Sequence, residues 1–407
     1  MRRSLLLLPA LIGAGCSPPD TATPGTDAGT SVPVDCRTAP AREGTYDPGV
    51  RTDGGAQVQL PALTGRLGVS RGARHTVYEP NRDELDTPAM GDKRSISVEV
   101  WFPTDVCGTG PSPDVFSDAE ATAMGIVFTD PWWRSAVSHT TAGAPFVQDG
   151  QRHPVLLFSP GYNASPRTYT LLLEQLVSHG YVVAVISHTF WAPLTFFGAN
   201  GVPGFHSPGG LTFEIADEES EVWLHDGIAA LDALAEWDAN DPEGQLTGRL
   251  DLERVGALGH SFGGAMALNV LATDARLKAG ANLDGSQFGR YRDAGFPALQ
   301  RPSLIFYSAR ANDPTLEAVH SAATGPAWAL KLAESGHLTF SDYALIGTQL
   351  GGTFAPAYFG TINPARANAA ITTWVVGFFD RALKGEAVPL LDGASADWPE
   401  VEVRRRN

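Results

Sequence analysis

A serine hydroxyl becomes a useful nucleophile only where a base, an anion behind that base and backbone N–H groups converge on it. Ser261 stands in Gly259-His260-Ser261-Phe262-Gly263-Gly264, directly after the apolar run Val255-Gly256-Ala257-Leu258 and directly before a run rich in Ala and Leu. That pattern predicts a nucleophile elbow, a sharp strand-to-helix turn whose flanking glycines remove side chains that would collide with neighbouring elements. The helix N-terminus behind such a serine favours a developing oxyanion. Asp284 follows Ala279-Gly280-Ala281-Asn282-Leu283 and precedes Gly285, at the carboxyl end of a predicted strand, where α/β sheets carry functional groups. Of the 10 His, only His320 and His337 lie downstream of it. His337 sits in Glu334-Ser335-Gly336-His337-Leu338-Thr339, a loop after the alternating run 328–332, whereas His320 lies among helix-like residues and reads as a surface group.

Ser261, Asp284 and His337 are therefore the candidate nucleophile, acid and base. The rival acids Asp293, Asp313 and Asp342 lie in polar surroundings and read as solvated surface or capping groups, with Asp313 the foremost rival because it also follows a strand. An oxyanion needs two backbone donors, and Phe262 supplies one. The second comes from Ser159-Pro160-Gly161-Tyr162, where Pro160 has no N–H, Gly161 lets the backbone approach, and the N–H of Tyr162 is the donor. His260 reads as packing beside the elbow, and His188 and His206 as hydrogen-bonded loop residues. No Cys/His spacing or carboxylate cluster suggests a metal, and the chemistry requires no cofactor.

The elements that position these residues follow from hydrophobic period. Residues 95–102 alternate, with Ile96, Val98, Val100 and Phe102 on one face; 154–158 are continuously apolar, as in a strand buried on both sides. Ser165-Pro166 predicts a helix start, with helical rhythm over 169–177 and a strand at 181–186 after Gly180. The alternation continues with a helix over 219–237, a strand at 254–258, a helix opening at Ser261, strands at 279–283, 303–307 and 328–332, and a helix over 366–384. That rhythm predicts an α/β protein of the α/β-hydrolase fold, with a mainly parallel central sheet and helices on both faces. It fills one catalytic domain, residues 56–407. The stretch 188–212, rich in Gly, Pro and aromatics, reads as a lid-like loop over the site rather than a regular element.

With 45 acidic residues against 29 basic ones, the net charge of −16 repels phosphate backbones, so no nucleic-acid partner is expected. Arg2 and Arg3 precede an apolar run at 5–12 that is too short to span a bilayer, so residues 1–15 read as an export signal. Cys16 follows Gly13-Ala14-Gly15 as the acylated cysteine of a bacterial lipoprotein would. The expectation is an exported protein anchored to a membrane through Cys16, periplasmic or at the cell surface, or else secreted. Residues 16–55 read as a flexible tether, and the two remaining cysteines, Cys36 and Cys107, as a disulfide.

Several of these segments together resemble a known family, the plasma and intracellular type II platelet-activating-factor acetylhydrolases and their bacterial relatives. The likeness runs over about residues 95–385 and rests on Val100-Trp101-Phe102-Pro103, Phe158-Ser159-Pro160-Gly161, Ser178-His179-Gly180-Tyr181, the elbow, Leu283-Asp284-Gly285 and His337-Leu338-Thr339-Phe340-Ser341-Asp342. The resemblance implies a calcium-independent serine esterase that removes short acyl groups from glycerophospholipids or similar esters, and it assigns the same three residues. Pro160 departs from the His that the family often has there. A cutinase-type polyester hydrolase and a non-catalytic surface lipoprotein on a hydrolase scaffold are the alternatives.

Overall fold

The computed structural model describes residues 35–38, 58–85, 91–107, 136–141, 143–197, 200–203, 212–289, 295–310, 313–349 and 351–406. The leader, Cys16, Asp293 and His206 lie outside them. Nine strands form the main sheet: β1 Gly68–Asp83, β2 Lys93–Thr104, β3 His153–Ser159, β4 Val182–Ser187, β5 Leu250–His260, β6 Leu277–Leu283, β7 Ser303–Tyr307, β8 Ala327–Leu332 and β9 Val401–Arg406. Their order is β9-β8-β7-β6-β5-β3-β4-β2-β1. Strands β3 to β8 are mutually parallel, and the β1–β2, β2–β4 and β8–β9 pairings are antiparallel.

Successive side chains of a strand enter opposite faces, so a strand covered on both must be apolar throughout. Along β3, Val155 and Leu157 enter one core while Leu156 and Phe158 enter the other; β4 divides Val182, Ala184 and Ile186 from Val183 and Val185 in the same way. The first core is covered by helices α2 Phe213–Asn240 and α3 Phe262–Thr273, the second by α1 Thr170–Ser178 and α5 Pro364–Phe379. Helix α4, Pro314–Ala322, adds Leu316 and Val319 to the first. This mainly parallel sheet with helices on both faces is the α/β-hydrolase fold.

Helix α2 starts six residues before the expected 219, where Thr212 caps it by accepting the Ile215 N–H at 3.3 Å. Strands β1 and β9 have no counterpart in the hydrophobic pattern. Both are edge strands, and the charged residues of Arg-Gly-Ala-Arg-His in β1 and Arg404-Arg405-Arg406 in β9 suit positions with one side open. Within 188–212 the structure has a hairpin, Leu194–Phe197 with Asn200–Pro203, in place of the expected irregular loop. Thr195, Phe196 and Phe197 are strand-forming residues whose short run the Gly and Pro content masked. The hairpin packs against β1 and β2, with the Arg74 guanidinium 5.0 Å from the Phe196 ring.

Cys36 and Cys107 are joined by a disulfide with Cα atoms 5.1 Å apart, which ties part of the 16–55 stretch to the end of β2. The Cys36 N–H also donates to the Arg66 carbonyl at 2.7 Å. The bridge closes a loop of 71 residues. Opening it through Cys36→Ser with Cys107→Ser is expected to destabilise the fold by about 4 kcal/mol at most, read as a lower urea midpoint.

Candidate active site

Strand order reverses on either side of β3: the chain passes to β4 on one flank and returns to β5 on the other. The crevice at such a switch point, beyond the carboxyl ends of the strands, is where open α/β sheets bind ligands. Ser159-Pro160-Gly161-Tyr162 leaves β3 there, and Ser261 leaves β5 there. Ser261 has φ 55° and ψ −122°, a strained conformation for a residue with a side chain. Neighbours hold it: its N–H donates to the Leu283 carbonyl at 2.8 Å. The elbow fits only because its flanks are glycine. A Cβ on Gly263 would collide with the Ser159 and Pro160 carbonyl oxygens, and one on Gly285 with that of Ser261.

The structure brings Ser261, His337 and Asp284 together. Asp284 is fully buried, with φ 54°, at the end of β6, and its N–H donates to the Phe306 carbonyl of the neighbouring strand at 2.9 Å. Its carboxylate can only accept, so the His337 proton resides on Nδ1, which donates to Asp284 Oδ2 at 2.6 Å. Nε2 is then an acceptor for the Ser261 hydroxyl, at 2.9 Å. Asp284 also accepts from the Ser308 N–H at 2.8 Å and Ser308 Oγ at 3.1 Å, while Arg310 Nε lies 3.2 Å from Oδ2 and Nη2 donates to the Asp284 carbonyl at 2.8 Å. Sequence reasoning passed over Ser308 and Arg310; their only signal was polarity directly after the apolar run of β7.

A second line of hydrogen bonds joins the loop after β3 to the loop that carries His337. The Gly161 N–H donates to Tyr169 Oη at 3.1 Å, the Tyr169 hydroxyl to His260 Nδ1 at 2.8 Å, and His260 Nε2–H to the His337 carbonyl at 3.0 Å. Burial and the neighbouring His337 push the His260 pKa well below the usual imidazole range, so the ring stays neutral as this line requires. With the Gly161 N–H engaged by Tyr169, Tyr162 is the next donor along the loop. Phe262 occupies the first position of α3, where a backbone N–H has no acceptor inside the helix. Tyr169 lies 91 residues from His260, and no local motif announces the pair.

The rival residues have other work. Asp313 caps α4, accepting the Thr315 N–H at 2.8 Å, and takes the Ser286 hydroxyl. Asp342 is a capping group, as one of its two readings had it, and the other is corrected: it is not solvated but buried, accepts the Leu171 N–H in the first turn of α1 at 3.1 Å, and has a pKa pushed well above the usual carboxylate range by burial. His320 is a second correction: it lies on the last turn of α4, buried at 7% exposure, because that face of the helix packs on the sheet. Aromatic rings flank the elbow, Trp223 against Phe262 at 4.8 Å, Phe262 against Phe288 at 5.6 Å and Phe288 against the exposed Phe213 at 6.0 Å. Beyond the loop after β3, Tyr162 packs on Trp191 at 5.3 Å. Among the described residues no group of three or more His, Cys, Asp or Glu is placed to hold a metal ion, and no helix is long and apolar enough to cross a membrane.

Comparison with known proteins gives the family of the chain. The family described as platelet-activating factor acetylhydrolase, isoform II, matches residues 70–196 and 237–388. A probable 1-alkyl-2-acetylglycerophosphocholine esterase of Arthroderma benhamiae is 28% identical over 275 residues, 62% of this chain and 67% of that protein. The platelet-activating factor acetylhydrolase of Cavia porcellus is 27% identical over 35% of this chain and 37% of its own length, and that of Gallus gallus 24% over 54% and 59%. The chain thus spans between 37% and 67% of the length of these three relatives. Among solved structures, a ferulic acid esterase from Streptomyces cinnamoneus superposes with a TM-score of 0.74 at 28% identity, covering 86% of this chain and 99% of that one. The chain belongs to the platelet-activating factor acetylhydrolase, isoform II, family, and it is an ester hydrolase.

Proposed function

We propose that the protein is a serine carboxylic-ester hydrolase that removes short acyl groups, with 2-acetyl glycerophospholipids as the favoured substrate class. The observation that carries this reading is the unbroken line from Ser261 Oγ through His337 to the buried Asp284, at 2.9 and 2.6 Å. Ser261 Oγ attacks the ester carbonyl carbon as its proton passes to His337 Nε2, and Asp284 stabilises the resulting imidazolium. The N–H groups of Phe262 and Tyr162 hold the oxyanion. Collapse of the tetrahedral intermediate breaks the ester C–O bond, the alcohol leaves with the His337 proton, and the acyl group stays on Ser261. Water, deprotonated by His337, then releases the acid and restores the hydroxyl.

The fungal and animal relatives are named for acetyl phospholipid hydrolysis, which supports the lipid substrate. A second reading, esters of aromatic acids, is favoured by the solved esterase named for ferulic acid and by the row of rings from Phe262 to Phe213. The exported, Cys16-anchored reading rests on the leader and is supported by the Cys36–Cys107 disulfide, since such bridges persist in oxidising compartments.

The test compares p-nitrophenyl esters from acetyl to octanoyl, a 2-acetyl phospholipid and methyl ferulate, with fluorophosphonate labelling of the same preparation. Highest kcat/KM on the acetyl compounds, together with one label on Ser261, is the expected result. Preference for ferulate transfers the assignment to the second reading; no turnover and no label leave a scaffold without chemistry and overturn both.

A further inference from the structure

Ser159, His188 and Asp226 repeat, sealed inside the protein, the bonding order of the site itself. Asp226 is wholly buried on α2, His188 is 1% exposed directly after β4, and Ser159 is the last residue of β3. Asp226 can only accept, so His188 Nδ1–H donates to its Oδ2 at 2.8 Å, and Nε2 faces the Ser159 hydroxyl at 3.1 Å. Arg94, 1% exposed, donates to both Asp226 oxygens, from Nε at 3.1 Å and Nη2 at 2.7 Å, and Arg82 adds a further contact. Arg94 Nη1 reaches Glu84 and the Thr189 carbonyl at 3.0 and 3.1 Å. The His188 ring lies flat on Trp223, centroids 3.7 Å apart. Substrate has no route to a hydroxyl packed in this way, so the group is not a second active site.

The line ends on the first residue of the oxyanion loop. The other end of that loop is held by the same segment: the Asn163 N–H donates to the Trp191 carbonyl at 3.0 Å, and Asn163 is kept at φ 54°. Residues 188–191 form a tight turn, with the Trp191 N–H on the His188 carbonyl at 3.1 Å and Phe190 at φ 69°. The segment after β4 therefore grips both ends of the stretch that contains Tyr162. A buried ionic chain is a poor source of net stability, because desolvation offsets most of its attraction. Its geometric effect is large, because a neutral His188 pinned by Asp226 offers Ser159 one acceptor in one place. Burial lowers the His188 pKa and keeps the ring in that neutral form.

We propose that the Asp226–His188–Ser159 relay is a positioning device that sets the oxyanion loop, and so places the Tyr162 N–H against the reacting carbonyl. This rests on the reading of Tyr162 as an oxyanion donor. A misplaced donor is felt in the transition state more than in substrate binding. Ser159→Ala should therefore lower kcat on p-nitrophenyl acetate by about 10–100-fold with KM within about twofold, and weaken a trifluoromethyl ketone inhibitor in parallel. Ser159→Thr, which keeps the hydroxyl, should recover most of the rate, and Ser159→Val, its isostere without one, should not. The Thr and Val pair decides the matter if the Ala variant folds poorly. Equal kcat in Thr and Val variants, or a lowered Tm with kcat and ketone affinity unchanged, overturns the relay. Esterase activity that survives Ser261→Ala in the same assays overturns instead the functional reading beneath it.

Discussion

Ser261→Ala is expected to lower kcat on the preferred ester by about 10⁶-fold while KM changes little. In the proposed mechanism the hydroxyl oxygen forms and breaks the acyl bond, and His337 Nε2, at 2.9 Å, takes its proton. Every other contact of the residue is backbone: the N–H on Leu283 and the carbonyl that accepts from Gly264 and Ala265 at 2.9 and 3.2 Å. Alanine preserves all of these, so Tm stays within about 1 °C of the wild type while turnover falls to the residue left by oxyanion stabilisation and binding alone. Single-turnover kinetics with p-nitrophenyl acetate checks it. A burst of p-nitrophenol from the variant would show that the acyl group rests elsewhere.

Asp284→Asn is expected to lower kcat by about 10⁴-fold. The substitution isolates chemistry from folding better than alanine does. Asp284 sits at φ 54°, a conformation that asparagine tolerates, and an amide oxygen can still accept from the Ser308 N–H at 2.8 Å. What changes is the face towards His337. An amide NH₂ there is a donor, which drives the imidazole to the opposite tautomer and takes Nε2 away as an acceptor for Ser261. Asp313→Asn is the internal control, since asparagine also caps helices and the residue's partners are Thr315 and Ser286 rather than His337. Equal loss in the two variants would point to damage to the strand ends rather than to the base.

The sheet and the three candidate residues that meet at its switch point were readable because each rests on a local pattern. Leu156 and Phe158 against Val155 and Leu157 is a periodicity, and Gly259 with Gly263 around Ser261 is a spacing. What escaped depends on residues that meet only in three dimensions. Nothing beside Tyr169 predicts His260 as its partner, and Asp226 became legible only as a charge placed among Trp223, Leu224, Ala230 and Leu231 on the buried side of α2. The edges β1 and β9 escaped for a different reason: with one side open, an edge strand can carry the arginines that a central strand excludes. For Asp342 polar neighbours in sequence left solvation and capping both open, and only its neighbours in space, the first turn of α1, separate the two.

The grip of residues 188–191 on the loop after β3 also sets a boundary for protein engineering. The segment that follows, with its hairpin, leaves the sheet just beyond β4 and lies on the flank of β1 and β2. A transplant from a relative that begins before His188 would replace the Ser159 partner and the turn that presents the residue 191 carbonyl to Asn163, and with them the proposed hold on the loop. One that begins after Ala192 exchanges the hairpin on the flank of β1 and β2 and leaves the clamp in place. The cut site, more than the donor sequence, decides whether the hold on the loop after β3 survives the exchange.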